Sequence, residues 1–401
     1  MLVGIDALSM YTPGQYLALE DMAAVHNVDA AKYLVGIGQH KMSVPASDED
    51  VVTMAAEAAQ PIVTDDIRSR LSTVIFATES SVDQSKSSGL FLKNLLDIPS
   101  TARFIEMKQA CYSATAGIQL ACDLVRQRPD ELVLVLASDI ARYEQGGTAE
   151  CTQGAGAIAI LIASKPRILA LDPETGVFSQ DVMDFWRPNH RRTALVDGKL
   201  SIDAYETTIA NALSDYVRKN SVPLSTLARY CFHLPYTKMA SKALNAMKNS
   251  FPEECSQVAI DHVEEGLHYG REIGNTYTAS LYISLLSMLE RTTEDLSGKR
   301  IGLFSYGSGS VGEFFTGIVQ PGYLEHLPRE RHLALLSKRR RLDYTTYAKW
   351  FYSPEANADT ALPCMTRSQF RLEGVYGGRR TYGVNPIAQP AEAQEEPVCV
   401  G

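Results

Sequence analysis

The chain has 401 residues, enough for two or three domain-sized units or for two halves of one larger fold. Hydrophobic residues make up 45% and charged residues 21%, as in soluble globular proteins, which argues against disorder of the chain as a whole. The formal net charge is −9, and the basic residues are scattered apart from SKRRR at 337–341, so nucleic-acid binding is not expected.

The opening MLVGIDALSM lacks the basic n-region of a signal peptide, and apolar stretches such as LVLVLA are far too short to cross a bilayer. The expected location is the cytoplasm. Cysteines 111, 122, 151, 231, 255, 364 and 399 include no C-x-x-C and no Cys/His pair at ligand spacing, so no structural metal site is expected. Reduced thiols are expected instead, most of them buried, with room for one that does chemistry.

From 1 to 165 strands and helices alternate. A strand LVGIDALSM is followed by helices from LEDMAAVH and VVTMAAEAAQPIV, a strand STVIFAT, a strand near RFIEM, and a helix after Cys111. Strands ELVLVLAS and AGAIAILIA complete this half. Near-continuous apolar strands between helices predict a sheet covered on both faces, hence an α/β layered fold. From 166 to 401 a comparable series runs through a strand RILALDP, a helix IDAYETTIANALSDYVRK, a strand RYCFHLP and helices TKMASKALNAMK and TYTASLYISLLSML. It ends in the strand region IGLFSYGSGSVGEFFTG and a hairpin FRLEGVYGGRRTYGV turning at Gly377-Gly378. The order echoes the first half without a residue-level repeat. The Pro-, Ala- and Glu-rich tail 385–401 is expected to be disordered.

Several residues stand where chemistry is placed in such folds. Cys111 lies between a strand and a helix, where backbone N–H groups and the helix dipole favour a thiolate; a small buried residue filling a turn is the ordinary alternative. Glu79 follows a buried strand, a position open either to a solvated loop carboxylate or to a general base. His233 repeats that placement in the second half, as a core histidine or a polarising group. Lys238 and Lys242 share one face of the helix that follows, as a phosphate cradle or a solvated face. Asn275 precedes a helix, where N-capping is its commonest task. The Gly-Ser-Gly-Ser loop holding Ser308 is either a tight turn or a close approach of backbone donors to a ligand. Together, Cys, His and Asn suit acyl transfer from a thioester, and the glutamate adds a base for a carbon acid.

In order along nearly the whole chain, VGIDALSMYTP, YLVGIGQHKMSV, ATESSVDQSKS, EMKQACYSATAGIQLA, TQGAGAIA, DFWRP, LVDGKLSIDAY, CFHLPYTKM, GNTYTASLY and GLFSYGSGSVGEF resemble the 3-hydroxy-3-methylglutaryl-CoA synthase family in its bacterial, mevalonate-pathway form. The resemblance implies a thiolase-type five-layer αβαβα fold of two similar halves and a homodimer. It assigns Cys111 as acylated nucleophile, Glu79 as general acid/base and His233 as the residue that polarises acetoacetyl-CoA. Asn275 would bond the acetoacetyl oxygen, and the Ser308 N–H would join that of Cys111 in an oxyanion hole. Asp29, Tyr143, Thr152, Ser201 and Tyr205 match substrate-binding positions, and Lys238 and Lys242 match contacts to the CoA phosphates.

The implied reaction condenses acetyl-CoA with acetoacetyl-CoA and needs no metal or redox cofactor. Rival readings are a polyketide-pathway relative acting on acyl-carrier-protein-bound acetoacetate, a ketoacyl-synthase III-like enzyme, which has no use for Glu79, and a catalytically silent scaffold of the same fold.

Overall fold

The computed structural model describes residues 1–354 and 359–385. From the first half come strands β1 (Val3–Tyr11), β2 (Leu71–Ala77), β3 (Arg103–Met107), β4 (Leu132–Ala141) and β5 (Gly154–Ser164). The second half gives β6 (Leu169–Leu171), β7 (Gly176–Ser179), β8 (Arg229–Phe232), β9 (Arg300–Gly307) and β10 (Val311–Val319). Among the described residues these ten form one sheet in the order β8-β9-β10-β6-β1-β5-β4-β2-β3, with β7 on β10.

The two halves use one strand plan. In the first, β2 is parallel to β4, and β4, β5 and β1 then alternate antiparallel. In the second, β8 is parallel to β9, and β9, β10 and β6 alternate antiparallel. The halves are joined where Gly4 pairs with Ala170 and Ile5 with Leu169.

Helices α1 (Val51–Ala59), α2 (Ser113–Gln127), α3 (Gly198–Lys219), α4 (Met239–Ser250), α5 (Glu264–Ile273) and α6 (Ser280–Arg291) cover the strands. Side chains alternate across a strand. Val133 and Val135 of β4 and Ile301 and Leu303 of β9 therefore share a central core with Ile118 of α2 and Leu286 of α6. Leu134 and Leu136 face α1 through Val52 and Ala55, while Phe304 and Phe314 face α3 and α4 through Leu213 and Met247. The result is five layers, α1, strands, α2 with α6, strands, and α3 with α4, as the family resemblance implied.

Helix α3 begins four residues before its expected start because Asp197 caps it, accepting from the Leu200 N–H at 3.1 Å. Gly377 and Gly378, at φ 54° and 75°, make the expected two-residue turn between Phe370–Tyr376 and Arg379–Val384. One expectation is corrected at the tail. Asn385 is buried, and its side-chain amide donates to the carbonyls of Thr366 at 2.9 Å and Ser368 at 3.0 Å. The rest of the expected disordered segment, 386–401, lies outside the described residues. The basic run 337–341 is a structural tie: Arg339 binds Glu272, and Arg341 makes a two-bond contact with Asp21.

Candidate active site

Glu79 stands two residues beyond β2, and Cys111 lies between β3 and α2. Ala110 holds a left-handed φ of 45° just before the cysteine, turning the chain sharply at the thiol. The Cys111 Sγ donates to Glu79 Oε1 at 2.9 Å. Behind the pair, fully buried Asp139 near the end of β4 gathers donors from both halves. Its Oδ1 accepts from the Glu79 N–H at 2.8 Å and from the hydroxyls of Thr78 at 2.9 Å and Ser80 at 2.8 Å. Its Oδ2 accepts from the N–H and hydroxyl of Thr278 at 3.1 and 2.6 Å. Glu79 is thereby tied to the short helical turn Tyr277–Ala279 that leads into α6.

Burial, and then the Asp139 carboxylate, push Glu79 up to about 8. Burial and the Glu79 carboxylate push the Cys111 thiol well above its usual range. This corrects the expectation that the helix start favours a thiolate. Helix α2 begins only at Ser113, and a helix terminus is worth about 0.3–1 kcal/mol, less than one pKa unit at about 1.4 kcal/mol. The resting group at Cys111 is therefore the thiol, hydrogen-bonded to Glu79.

The second half supplies the facing wall. Gly274, at φ 90°, lies against Gly154, and a Cβ at Gly274 would fall 2.1 Å from the Gln153 carbonyl oxygen. This close approach lets the Asn275 N–H donate to the Thr152 carbonyl at 3.3 Å. The Asn275 Oδ1 accepts from the Tyr277 N–H at 2.8 Å, which leaves its NH2 group to offer. Tyr143, Phe185 and Tyr277 meet edge to face at 5.7 to 6.5 Å, and Cys111 packs against this cluster. Gly307 performs a similar service for Ser308: a Cβ there would lie 2.5 Å from the Gln109 carbonyl oxygen, so the β9–β10 turn sits directly on the cysteine loop. Gln109 donates to the Ser308 carbonyl at 3.3 Å. Buried Asp184 fixes that turn, accepting from the Gly309 N–H at 2.8 Å, the Tyr306 hydroxyl at 2.8 Å and the Ser201 hydroxyl at 3.1 Å.

His233 follows β8 and is 2% exposed. Its N–H donates to the Phe304 carbonyl at 2.9 Å, and its carbonyl accepts from the Tyr205 hydroxyl at 3.1 Å. Burial holds the imidazole down to about 3, so it is neutral at working pH. Its Nδ1 has no hydrogen-bond partner among the described residues. Lys238 is exposed and Lys242 half-buried, and neither has an ion-pair partner among the described residues. The Lys238 N–H donates to the Ile37 carbonyl at 3.0 Å. That contact brings the lysines beside the segment opened by exposed Asp29, whose Oδ1 accepts from the Ala31 N–H at 2.9 Å.

A cavity of about 900 Å³ opens beside the pair, lined by Glu79, Gln109, Ala110, Arg187 and Ser308. Lys238, Lys242 and Asp29 do not line it. Sequence reasoning missed Asp139, Asp184, Phe185, Arg187 and Tyr277. Asp139 had a signal: it is an acid inside the apolar run ELVLVLASDIA, where a buried charge needs a reason.

Two family models match in tandem, hydroxymethylglutaryl-coenzyme A synthase N terminal over residues 1–167 and the C-terminal counterpart over 169–270 and 250–359. The chain belongs to the hydroxymethylglutaryl-CoA synthase family. The hydroxymethylglutaryl-CoA synthase of Enterococcus faecalis is 44% identical over 351 residues, covering 88% of this chain and 92% of that protein. The polyketide biosynthesis 3-hydroxy-3-methylglutaryl-ACP synthase PksG of Bacillus subtilis is 31% identical over 365 residues, covering 83% and 86%. A crystal structure of an HMG-CoA synthase complexed with CoA superposes with a TM-score of 0.92 at 38% identity, covering 96% of this chain and 100% of that one. Among family members, the E. faecalis synthase thus stands nearer to this chain than the carrier-protein enzyme does.

Proposed function

We propose that this chain is a hydroxymethylglutaryl-CoA synthase that condenses acetyl-CoA with acetoacetyl-CoA through an acetyl-S-Cys111 intermediate. The observation that carries the reading is the Cys111 thiol on the Glu79 carboxylate at 2.9 Å, in a base raised to about 8. A base near the operating pH suits both a thiol proton and a carbon-bound one. Glu79 takes the thiol proton, the thiolate attacks the acetyl-CoA carbonyl, and CoA leaves with that proton. Glu79, again ionised, removes a proton from the acetyl methyl group, and the carbanion attacks the ketone carbon of acetoacetyl-CoA, whose oxygen gains a proton. Water then splits the thioester, its hydroxyl going to the acyl carbon and its proton to Sγ.

The other assignments follow what each group has to give. Neutral His233, with a buried Nδ1 lacking a partner among the described residues, and the Asn275 NH2 are donors to the acetoacetyl oxygen. The N–H groups of Cys111 and Ser308 form the oxyanion hole, a role supported by the Gly307 approach. Tyr143 and Thr152 wall the acetyl site, while Ser201 and Tyr205 act through Asp184 and His233. Lys238, Lys242 and the Asp29 segment receive the charged end of CoA. The thioester supplies the activation, so neither metal nor redox cofactor enters the scheme. The two halves divide at 165/166, as the repeated strand plan supports. Edge strand β3, with Ile105 47% exposed, supports a homodimer. A cytoplasmic place in the mevalonate route to isoprenoids completes the proposal.

Incubation with acetyl-CoA and then acetoacetyl-CoA tests it. Intact-protein mass spectrometry should find one added acetyl group, absent in Cys111→Ala, and HMG-CoA among the products. Turnover of carrier-bound acetoacetate alone would hand the function to the polyketide reading.

A further inference from the structure

The cavity beside Glu79 is lined by Lys108, Arg142, Arg187, Arg191, Arg192 and Arg380. Most of these cations are engaged elsewhere. Arg142 donates to the Phe351 carbonyl, Arg191 pairs with Glu144, Arg192 donates to the Ser353 carbonyl at 2.8 Å, and Arg380 pairs with Asp50 at 3.2 Å. Lys108 is exposed at the rim. Arg187 is half-buried, and none of the hydrogen bonds or ion pairs among the described residues engages it.

Its backbone is firmly set. Phe185–Trp186 pairs antiparallel with Leu195–Val196, Phe185 packs on Tyr143 and Tyr277, and Asp184 is held by its donors from the β9–β10 turn and α3. Pro188 restricts Arg187 to extended backbone. The titratable groups whose charge acts on Glu79 are Asp139 from β4, Cys111 from its loop, Tyr143, Tyr277 from the second half, and Arg187, which lines the same cavity as Glu79. Of these, Arg187 alone is a cation.

We propose that Arg187 is a positioning residue for the general base: its guanidinium is the counter-cation of the Glu79 carboxylate and offsets Asp139, keeping Glu79 ionised for its two proton abstractions. The inference rests on the condensation reading above. It fits the chemistry, because a buried carboxylate beside a second one is ionised only with help from an opposite charge. The lowering effect of Arg187 on Glu79 points the same way.

The test is the pH dependence of Cys111 acetylation and of HMG-CoA formation in wild type, Arg187→Gln, Arg187→Met and Arg187→Lys, with near-UV circular dichroism to confirm folding. Loss of an opposite charge lining the same cavity should raise the acid limb by roughly one pH unit in the Gln and Met variants. That is a loss of about tenfold well below the limb and little above it. Arg187→Lys should keep the wild-type limb. A uniform loss at every pH with an unmoved limb, or a Lys variant shifted as far as Gln, overturns the role. Wild type that makes no HMG-CoA defeats the function itself and is told apart from either outcome by the unmutated control.

Discussion

Asp139→Asn separates the charge of the buried carboxylate from its shape. Burial contributes most to the rise of Glu79 from an ordinary 4.5 to about 8, and Asp139 comes next. For scale, any two carboxylates at a separation of about 6 Å and an effective dielectric of about 20 would repel by about 3 kcal/mol, or about two pH units. Because burial takes the larger share, the acid limb of Cys111 acetylation should fall by roughly one to two pH units when Asp139 loses its charge. The substitution also has a structural cost. Both Asp139 oxygens accept hydrogen bonds, from Glu79 and Thr278 among others. Whichever way the new amide is turned, its NH2 meets a donor, and about 1–3 kcal/mol should be lost. Rapid-quench mass spectrometry from pH 5 to 10 gives the limb, and thermal unfolding gives the cost as a Tm lowered by a few degrees. A limb that stays in place or moves upward would refute the electrostatic reasoning; an unchanged Tm would refute the hydrogen-bond reasoning.

Lys238→Ala with Lys242→Ala should raise KM for both CoA substrates several-fold with a smaller effect on kcat, because binding common to ground and transition states is lost; steady-state kinetics reads the split. Gly274→Ala should cost at least about 2 kcal/mol and depress condensation by displacing Asn275, since its Cβ would meet the Gln153 carbonyl oxygen at 2.1 Å. Urea unfolding and product formation check the two effects. His233, held down to about 3, gains a proton only far below neutrality; nitrogen-15 spectra at pH 6 should report a neutral imidazole, and an imidazolium signal there would contradict its assigned role as a neutral donor.

What was legible in the sequence was local. Apolar runs such as LVLVLA read as covered strands because both faces of β4 are in fact buried, against different layers. Glu79 and His233 were visible because they end such runs. The charge state of Cys111 was not, because the helix-start argument is local while burial and the Glu79 carboxylate are set by tertiary packing. Asp139 draws its meaning from Thr278, 139 residues away, and no local pattern encodes that meeting. Helix α5 went unread because Gly266 and Gly270 lower helix propensity; both glycines serve close packing, Gly266 against Ser284 and Gly270 against Thr237. Asn385 was lost to a composition that describes the residues after it and not its own buried amide.

Glu79→Ala tests the central claim, that one carboxylate serves a cysteine nucleophile and then deprotonates the acetyl methyl group. Attack on acetyl-CoA needs the thiol and the oxyanion donors, and removing Glu79 leaves burial as the main force holding the thiol up while taking away the carboxylate that adds to it. Cys111 should therefore still become acetylated, more slowly near neutrality and faster as pH rises. Condensation needs the base itself, which typically contributes on the order of 10²–10⁴-fold. HMG-CoA formation should fall by at least that range, and exchange of the acetyl methyl protons with deuterated solvent should vanish while the acetyl-enzyme accumulates. Methyl exchange persisting at the wild-type rate, or acetylation and condensation lost in equal measure, would contradict the account.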